Sequence, residues 1–202
     1  VKYRDSVLNW TPLQYALKTR SLGTLNHLMN VQKGEIVDND CNILIEAIKE
    51  NCLNLTANMM LHKDICEFKD ESGNTPLHLA VWYGDISMVK QMVKTYKKKE
   101  GSGILSVNNK VPYVMNAPNK DENTHLHIAV IQGKSEVMNH LMEKGSDPHL
   151  TNKQGNNKLH IAVWTEDNNI VKKLVGNKKL NLINVKNSDG NTPLILGVKV
   201  KN

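Results

Sequence analysis

Apolar residues recur along the chain at helical spacing, in pairs of short segments that a turn sequence precedes. In the clearest pair, Leu77, Ala80 and Val81 fall at positions i, i+3 and i+4. After Gly84 a second stripe follows at the same kind of spacing, with members Ile86, Val89, Met92 and Val93. Such spacing puts apolar side chains on one face of a helix. The pattern therefore predicts two short antiparallel helices in each unit.

The residues before the first stripe predict how the unit begins. Residues 70–74 read Asp-Glu-Ser-Gly-Asn, and Gly73 can adopt a positive φ in a turn at little cost. Thr75 can cap the next helix through its hydroxyl group. Pro76 suits the first helical turn, because the N–H that it lacks would have no helical partner there. One unit is thus a turn followed by two helices.

This unit repeats along the chain. The motif Gly-Asn-Thr-Pro-Leu-His-Leu-Ala at 73–80 returns at 122–129, 155–162 and 190–197, and weaker copies lie at 11–16 and 42–47. The positions equivalent to its Thr are 11, 42, 75, 124, 157 and 192, which gives spacings of 31, 33, 49, 33 and 35. The period is therefore 33 residues with one insertion of 16. A repeat of that length is typical of a solenoid, in which each unit contacts only its neighbours.

We expect a single domain over residues 1–202. Its copies lie near 6–36, 37–69, 70–118, 119–151, 152–186 and 187–202, with the insertion at 97–115. The last copy lacks a second helix, and the chain begins with Val1 rather than with Met. We therefore expect a piece of a longer protein whose last repeat is truncated.

The motif resembles that of ankyrin repeats. The resemblance rests on Thr-Pro-Leu-His-Leu-Ala at 75–80, on the helix-ending Gly84 and Gly133, and on Glu-Lys-Gly-Ser-Asp at 143–147, and it covers nearly the whole chain. It implies an all-α solenoid of stacked helix-turn-helix units with β-hairpin or turn fingers. It also implies that such an array binds another protein through its concave groove and fingertips.

The recurrent histidines His78, His127 and His160 invite a metal-site interpretation. They are 49 and 33 residues apart, so they belong to three different stacked units. The resemblance implies instead that each imidazole bridges turns through hydrogen bonds to the backbone and to the Thr hydroxyl. The sequence also lacks a Gly-rich phosphate loop, a Gly-x-Ser-x-Gly elbow and a His-Glu-x-x-His motif. We therefore expect no enzyme activity, no cofactor and no metal.

Composition narrows the possible partners and the compartment. The net charge is +6, but 24 of the 26 basic residues are Lys and only two are Arg. Arg is preferred where planar bidentate recognition of phosphate matters, so we do not expect the chain to bind nucleic acid. The 26 Asn residues, taken with the Lys excess, indicate an AT-rich genome. Three cysteines without paired spacing indicate a reducing, intracellular compartment, and the lack of an 18-residue apolar run predicts that the chain has no membrane span. We expect a monomer in the cytoplasm.

The resemblance assigns two sets of candidate partner-binding residues. The two positions before the helix-ending residue face the groove, and at the fingertips charged side chains project. The helix-end candidates are Trp82, Tyr83, Ile131, Gln132, Trp164, Thr165, Lys49 and Glu50. The fingertip candidates are Glu71, Lys120, Asp121 and Lys153. The alternative for Trp82 and Trp164 is that they pack between stacked helices.

The insertion leaves two interpretations open. Lys94–Lys99 extends the preceding helix, and Gly101 and Gly103 break it. Either the segment is a passive surface loop, or its apolar residues among 104–114 have a role, by folding back on the stack or by contacting a partner. For the whole chain we expect a non-catalytic protein-interaction scaffold, as an adaptor or as an effector that acts in a host cytosol. The alternative is the targeting arm of a larger enzyme or channel.

Overall fold

A computed structural model describes residues 11–19, 21, 23–24, 27–28, 40–60, 65, 68–101, 114–177 and 180–200. These residues contain no strand. The helices described over their full length are α1 (Pro12–Lys18), α2 (Asp40–Lys49), α3 (Leu53–Met59), α4 (Pro76–Tyr83), α5 (Ile86–Gly101), α6 (His125–Ile131), α7 (Ser135–Glu143), α8 (Lys158–Trp164), α9 (Asn168–Gly176) and α10 (Pro193–Val200). The predicted all-α class is confirmed.

The helices form two layers. Helices α1, α2, α4, α6, α8 and α10 pack one on the next in that order and make up the first-helix layer. Helices α3, α5, α7 and α9 each pack against the first helix that precedes them and make up the second-helix layer. Leu77, Leu126 and Leu159 of the first layer are buried together with Met92 and Leu141 of the second. The apolar stripes thus meet between the layers, as the pattern predicts.

Helix α5 is longer than the other second helices because it includes the start of the insertion. It continues through Lys94 and Lys97 and ends at Gly101. The predicted extension is therefore confirmed. Of the apolar residues on which the two interpretations of the insertion depend, those among 102–113 lie outside the described residues, and Val114 is partly buried against the core.

The fingers are turns, each closed by one side chain. They comprise residues 70–74, 119–123, 152–156 and 187–191. The first residue of each finger accepts hydrogen bonds through its side-chain oxygen from the backbone amides two and four positions later, at 2.7–3.1 Å. These first residues are Asp70, Asn119, Asn152 and Asn187. Within the described residues the fingers are turns without the β-hairpin form that the resemblance also allowed.

Successive fingers are joined by backbone hydrogen bonds that we call rungs. The donor amide and acceptor carbonyl of each rung are Lys120 to Ser72 (2.9 Å), Lys153 to Asp121 (2.9 Å) and Ser188 to Gln154 (3.0 Å). The approach is close enough to require glycine at one position. Gly155 has a φ of +71°, and a Cβ there would lie 2.7 Å from the amide nitrogen of Ser188. A side chain at Gly155 would separate the two fingers.

Hydrogen bonds between Asn side chains also join successive fingers, beside the rungs. The Nδ2 groups of Asn119, Asn152 and Asn187 donate to the side-chain oxygens of the preceding fingers, at 3.0, 3.3 and 2.8 Å. The acceptors are Asn74, Asn123 and Asn156. These Asn residues therefore have a structural role, which the compositional interpretation of Asn abundance did not foresee.

The recurrent histidines connect each first helix to the next finger. The Nε2 atoms of His78, His127 and His160 lie 3.0, 3.2 and 2.9 Å from the carbonyl oxygens of Asn123, Asn156 and Asn191. In the first two units, the Nδ1 atom accepts from the amide of the capping Thr, at 3.2 and 3.1 Å. A ring that accepts at Nδ1 carries its proton on Nε2 and donates it to the carbonyl. The geometry thus gives these rings the bridging role that the resemblance implied, in the neutral form.

Two residues that replace the motif's Pro are buried and reach back to the preceding segment. His125 donates from Nδ1 to the carbonyl of Met115 at 3.1 Å, and its ring centroid lies 3.9 Å from that of His78. Lys158 is fully buried, and its Nζ donates to the carbonyl of Leu150 at 3.2 Å. Burial lowers the pKa of Lys158 to about 7, although Asp147 opposes that shift.

Acid should weaken the stack through its buried histidines. Burial lowers the pKa of His78 to about 4 and that of His127 to about 3, whereas an unfolded chain has a histidine pKa of about 6.5. Between those values the unfolded chain binds protons that the folded chain does not. The free energy of unfolding should therefore fall as the pH falls below about 6.5, by about 1.4 kcal/mol per pH unit for each ring. Urea unfolding between about pH 6.5 and pH 5 measures this slope above the range in which Asp and Glu ordinarily titrate.

The matched variant for that measurement is His127→Gln. Gln keeps an N–H donor for the carbonyl of Asn156 and removes one titrating group. Its slope should be smaller than that of the wild type by about 1.4 kcal/mol per pH unit. Equal slopes in the two proteins would contradict the assignment of this proton to His127.

Replacing Lys158 by Met should stabilise the array at pH 7. The pKa of about 7 in the folded state lies below the ordinary 10.5, so the unfolded chain holds a proton that the folded chain binds weakly. Stability is therefore reduced at pH 7 and recovers as the pH rises toward about 10.5. Met keeps an unbranched apolar stem without the charge. We expect a gain of about 2–4 kcal/mol in the free energy of unfolding, measured in urea at pH 7.

The control for this measurement is Lys172→Met on the exposed side of α9, which should change stability by less than about 0.5 kcal/mol. A loss of stability in Lys158→Met would mean that the bond to the carbonyl of Leu150 outweighs the desolvation of the amine.

Candidate partner-binding face

The aromatic residues predicted at the helix ends are exposed. The exposed fractions are 42% for Trp82, 48% for Tyr83 and 61% for Trp164. They end helices α4 and α8, just beyond the buried stripes, so their rings leave the core. The alternative that Trp82 and Trp164 are buried between stacked helices is therefore wrong.

The other helix-end candidates surround these aromatic residues with less exposure. Ile131 and Gln132 at the end of α6 are half-buried, as are Glu50 after α2 and Thr165 after α8. Lys49 is exposed. We call these five residues, together with Trp82, Tyr83 and Trp164, the helix-end set.

Ion pairs fix the charged part of the helix-end set. Lys18 Nζ lies 3.2 Å from Glu46 and 3.9 Å from Glu50, and Lys49 Nζ lies 3.3 Å from Glu46. Burial alone would raise the pKa of Glu46, but hydrogen bonds from Lys18 and Lys49 bring it below its ordinary value. Such partly exposed pairs contribute about 0–1 kcal/mol each. They order these side chains more than they stabilise the fold.

A cation–π contact joins the charged part to the aromatic part. The Nζ of Lys49 lies 5.3 Å from the centroid of the Tyr83 ring. An ammonium at this distance is attracted to the negative face of the ring, by about 0.5–1 kcal/mol at an exposed site. The contact connects the ends of α2 and α4 and limits the motion of the Tyr83 ring.

The fingertip candidates form a second set, which the rungs hold in place. Glu71, Lys120, Asp121 and Lys153 are all exposed. Their backbones lie in or beside the rungs between successive fingers, while their side chains extend into solvent. Within the helix-end set Lys49 contacts the Tyr83 ring, and within the fingertip set the amide of Lys153 donates to the carbonyl of Asp121. We refer to the helix-end set and the fingertip set together as the groove face.

The loops that follow the first helices contain residues that the sequence reasoning missed. Asn51 Nδ2 donates to the carboxylate of Asp85 at 2.8 Å, and the same carboxylate accepts from the amide of Met88 at 2.8 Å. The bond from Met88 is the main reason that the pKa of Asp85 lies below its ordinary value.

Lys134 is the second missed residue. Its Nζ lies within 2.9 Å of three carbonyl oxygens at the end of α4, those of Val81, Trp82 and Gly84. Burial lowers the pKa of Lys134, and Asp85 opposes that shift. The only signal in the sequence is a Lys directly after the helix-ending Gly133.

Aromatic rings, paired charges and fixed backbone turns lie on the groove face. In the described part of the chain, no group of three His, Cys, Asp or Glu residues is arranged to bind a metal. Among the described helices, none combines the length and apolar character that crossing a bilayer requires.

Comparison with known proteins identifies the family. The family model described as "Ankyrin repeats (3 copies)" matches residues 13–102, 104–184 and 126–202. The chain is 35% identical over 149 residues to the nuclear factor NF-kappa-B p100 subunit of Xenopus laevis, which covers 71% of this chain and 14% of that protein. It is 33% identical over 92 residues to NF-kappa-B inhibitor alpha of Sus scrofa, with 46% and 26% covered.

A third relative is a bacterial enzyme. The chain is 27% identical over 124 residues to the phosphocholine transferase AnkX of Legionella pneumophila, which covers 60% of this chain and 12% of that protein. The chain thus spans at most 26% of the length of these three relatives. Because the family model matches most of its length, the chain belongs to the ankyrin-repeat family.

Proposed function

We propose that this chain is a non-catalytic scaffold that binds another protein through its groove face. The observation that carries the proposal is the exposure of Trp82, Tyr83 and Trp164 at the ends of first helices. Trp and Tyr are enriched among the residues that carry most of the energy in protein interfaces. Three such rings on one layer of a small chain form a surface suited to a protein partner.

The rigidity of the stack supports the same function. Binding loses affinity when side chains and loops must be ordered in the complex. The rungs, the histidine bridges and the contact between Lys49 and Tyr83 order this surface before any partner arrives. A partner therefore meets side chains whose backbone positions are already fixed.

The remaining candidates have secondary roles in this proposal. Ile131 and Gln132, at the end of α6, lie between the aromatic ends of α4 and α8 in the first-helix layer. Thr165 follows α8, and Glu50 follows α2, which packs on α4. The charged fingertips Glu71, Lys120, Asp121 and Lys153 steer the encounter, because exposed charges act mainly on the association rate.

Relatives support protein binding in general and leave the partner unnamed. The inhibitor alpha of Sus scrofa is, by its name, an inhibitor of NF-kappa-B. For this chain we propose an adaptor or effector that acts as a monomer inside the cell, in the cytoplasm, or in a host cytosol if it is secreted. With 24 Lys and two Arg, nucleic acid is not the proposed ligand.

A second candidate function is that of a targeting arm within a larger enzyme or channel. The observation that favours it is the similarity to AnkX, a phosphocholine transferase of which this chain spans only 12%. In that case the groove face delivers the catalytic or channel part to its target. The gene sequence on both sides of residues 1–202 distinguishes the two candidates.

The test of the proposed function is the Trp82→Ala variant. A partner is first isolated with the intact chain by affinity capture and identified by mass spectrometry, and its affinity is then measured by calorimetry. Truncation of an aromatic anchor typically removes about 2 kcal/mol of binding energy, so Kd should rise roughly 30-fold. The free energy of unfolding should change by less than about 1 kcal/mol, because the ring is exposed.

The matched control is Lys172→Ala, which removes an exposed side chain from the second-helix layer. It should leave both affinity and stability unchanged. An unchanged Kd for Trp82→Ala would contradict the assignment of the groove face. A Trp82→Ala chain that unfolds would show that the ring contributes to packing instead.

A further inference from the structure

The ends of the first helices α2, α4, α6 and α8 take two different forms. At the ends of α2, α6 and α8 one residue adopts the left-handed conformation, with φ of 54° at Asn51, 65° at Gly133 and 56° at Glu166. The amide of the following residue then donates to a carbonyl five positions earlier, at 2.8–3.1 Å. The donor–acceptor pairs are Cys52 to Ala47, Lys134 to Ala129 and Asp167 to Ala162. This backbone closure satisfies carbonyls that a helix end otherwise leaves unpaired.

The end of α4 lacks that closure. Gly84 occupies the equivalent position, but its φ is −80° and its ψ is 172°, an extended conformation. Its amide donates to the carbonyl of Ala80 at 2.9 Å as in an ordinary helical turn, and the hydrogen bonds of the described residues include no closing bond from Asp85 to Ala80. The last carbonyls of α4 therefore need partners from elsewhere.

Lys134 supplies those partners from the next unit. Its Nζ donates to the carbonyls of Val81 (2.8 Å), Trp82 (2.9 Å) and Gly84 (2.8 Å). An ammonium group has three donors, and here each has an acceptor. A positive charge is also favourable at the negative end of a helix. One side chain thus takes over the closure that the backbone provides at the ends of α2, α6 and α8.

We propose that Lys134 is the positioning residue for the aromatic pair formed by Trp82 and Tyr83. Two of its three acceptors are the carbonyls of Val81 and Trp82, so the ammonium fixes the backbone that carries both rings. The consequence for partner recognition rests on the proposed function, because it requires these rings to be the contact residues. The positioning itself is a property of the unbound chain.

The sequence of α4 allows a second conformation once the ammonium is absent. Gly84 has no Cβ, and it can therefore adopt the left-handed conformation that Gly133 adopts in the next unit. In its present conformation, a Cβ on Gly84 would lie 2.8 Å from both the Ala80 oxygen and the Met88 Cγ. Without Lys134, the end of α4 is free to close through its own backbone, and Trp82 and Tyr83 then move relative to Lys49.

The test uses Trp82 as its own reporter. The chain has three Trp residues, so Trp10→Phe and Trp164→Phe leave Trp82 as the single Trp in the full-length protein. In this background, Lys134→Met is compared with the parent and with Lys134→Arg, which keeps the charge and several N–H donors. The readouts are the Trp82 emission maximum, quenching by acrylamide, and hydrogen exchange at the Gly84 amide followed by NMR.

We expect Lys134→Met to shift the emission maximum and to change the quenching of Trp82. Exchange at Gly84 should be at least about tenfold faster, because the loss of one charge-assisted hydrogen bond corresponds to about that factor in an equilibrium constant. Amides in α8 should keep their protection. Lys134→Arg should lie between the parent and the Met variant, and Lys172→Met, from the exposed face of α9, should match the parent.

Unchanged Trp82 signals and unchanged Gly84 exchange in a folded Lys134→Met chain would overturn the proposal. An Arg variant that behaves as the Met variant does would also overturn it, because the hydrogen bonds of the cation would then not be the cause. If Lys134→Met does not fold, Lys134→Gln is measured in the same way and judged by the same criteria. Failure of the proposed function is separate, since it appears as unchanged partner affinity in Trp82→Ala.

Discussion

The structure depends on hydrogen bonds that pass from one repeat to the next through buried imidazoles and finger backbones. A pair of short helices has too little apolar surface to fold by itself, so each unit is stable only against its neighbours. The apolar core holds neighbouring units together, but it does little to fix how one unit is aligned with the next. The imidazole of His127 hydrogen-bonds to one particular carbonyl, that of Asn156. The amide of Lys153 likewise donates to the carbonyl of Asp121. These bonds set the spacing of the fingers and the helix ends.

The groove face is ordered because these hydrogen bonds fix the alignment of successive repeats. Trp82, Tyr83 and Trp164 are exposed, yet their backbones end helices that the buried core and the histidine bridges hold in place. Among the first helices whose ends the structure describes, α4 alone has an extended end; it carries two of these rings and is closed by a side chain from the following unit. The helix end that carries two of the candidate contact residues is thus also the one where the backbone has an alternative conformation. Lys134 couples its conformation to the neighbouring repeat.

Much of this architecture could be predicted from the sequence, because it follows from periodicity. The 33-residue period, the helix pairs and the bridging histidines all come from residues that recur at fixed positions. The asparagines at 119, 152 and 187 also recur, each followed by another Asn four positions later, so their role could have been found from spacing. Composition alone does not reveal this structural role, because a high number of Asn residues is also explained by an AT-rich genome.

The rest of the site depends on features without a periodic signal. Lys134 can fill its role only because Gly84 in the preceding unit is extended. The backbone conformation of a single glycine cannot be predicted from the sequence. The burial of Lys158 depends on how closely the preceding loop covers it, at a position where the motif usually has Pro. The exposure of Trp82 and Trp164 was left open by the sequence, since a Trp beside an apolar stripe fits both a groove and a core.

Hydrogen exchange at the fingertips tests most directly whether the groove face is ordered by bonds between repeats. The amides of Lys120, Lys153 and Ser188 lie at the exposed tips and donate to the preceding fingers. If the rungs hold, these amides exchange only when neighbouring repeats separate, and NMR should show protection close to that of amides in α4, α6 and α8. Exchange at the rate of an unstructured peptide, with the helices still protected, would contradict the account.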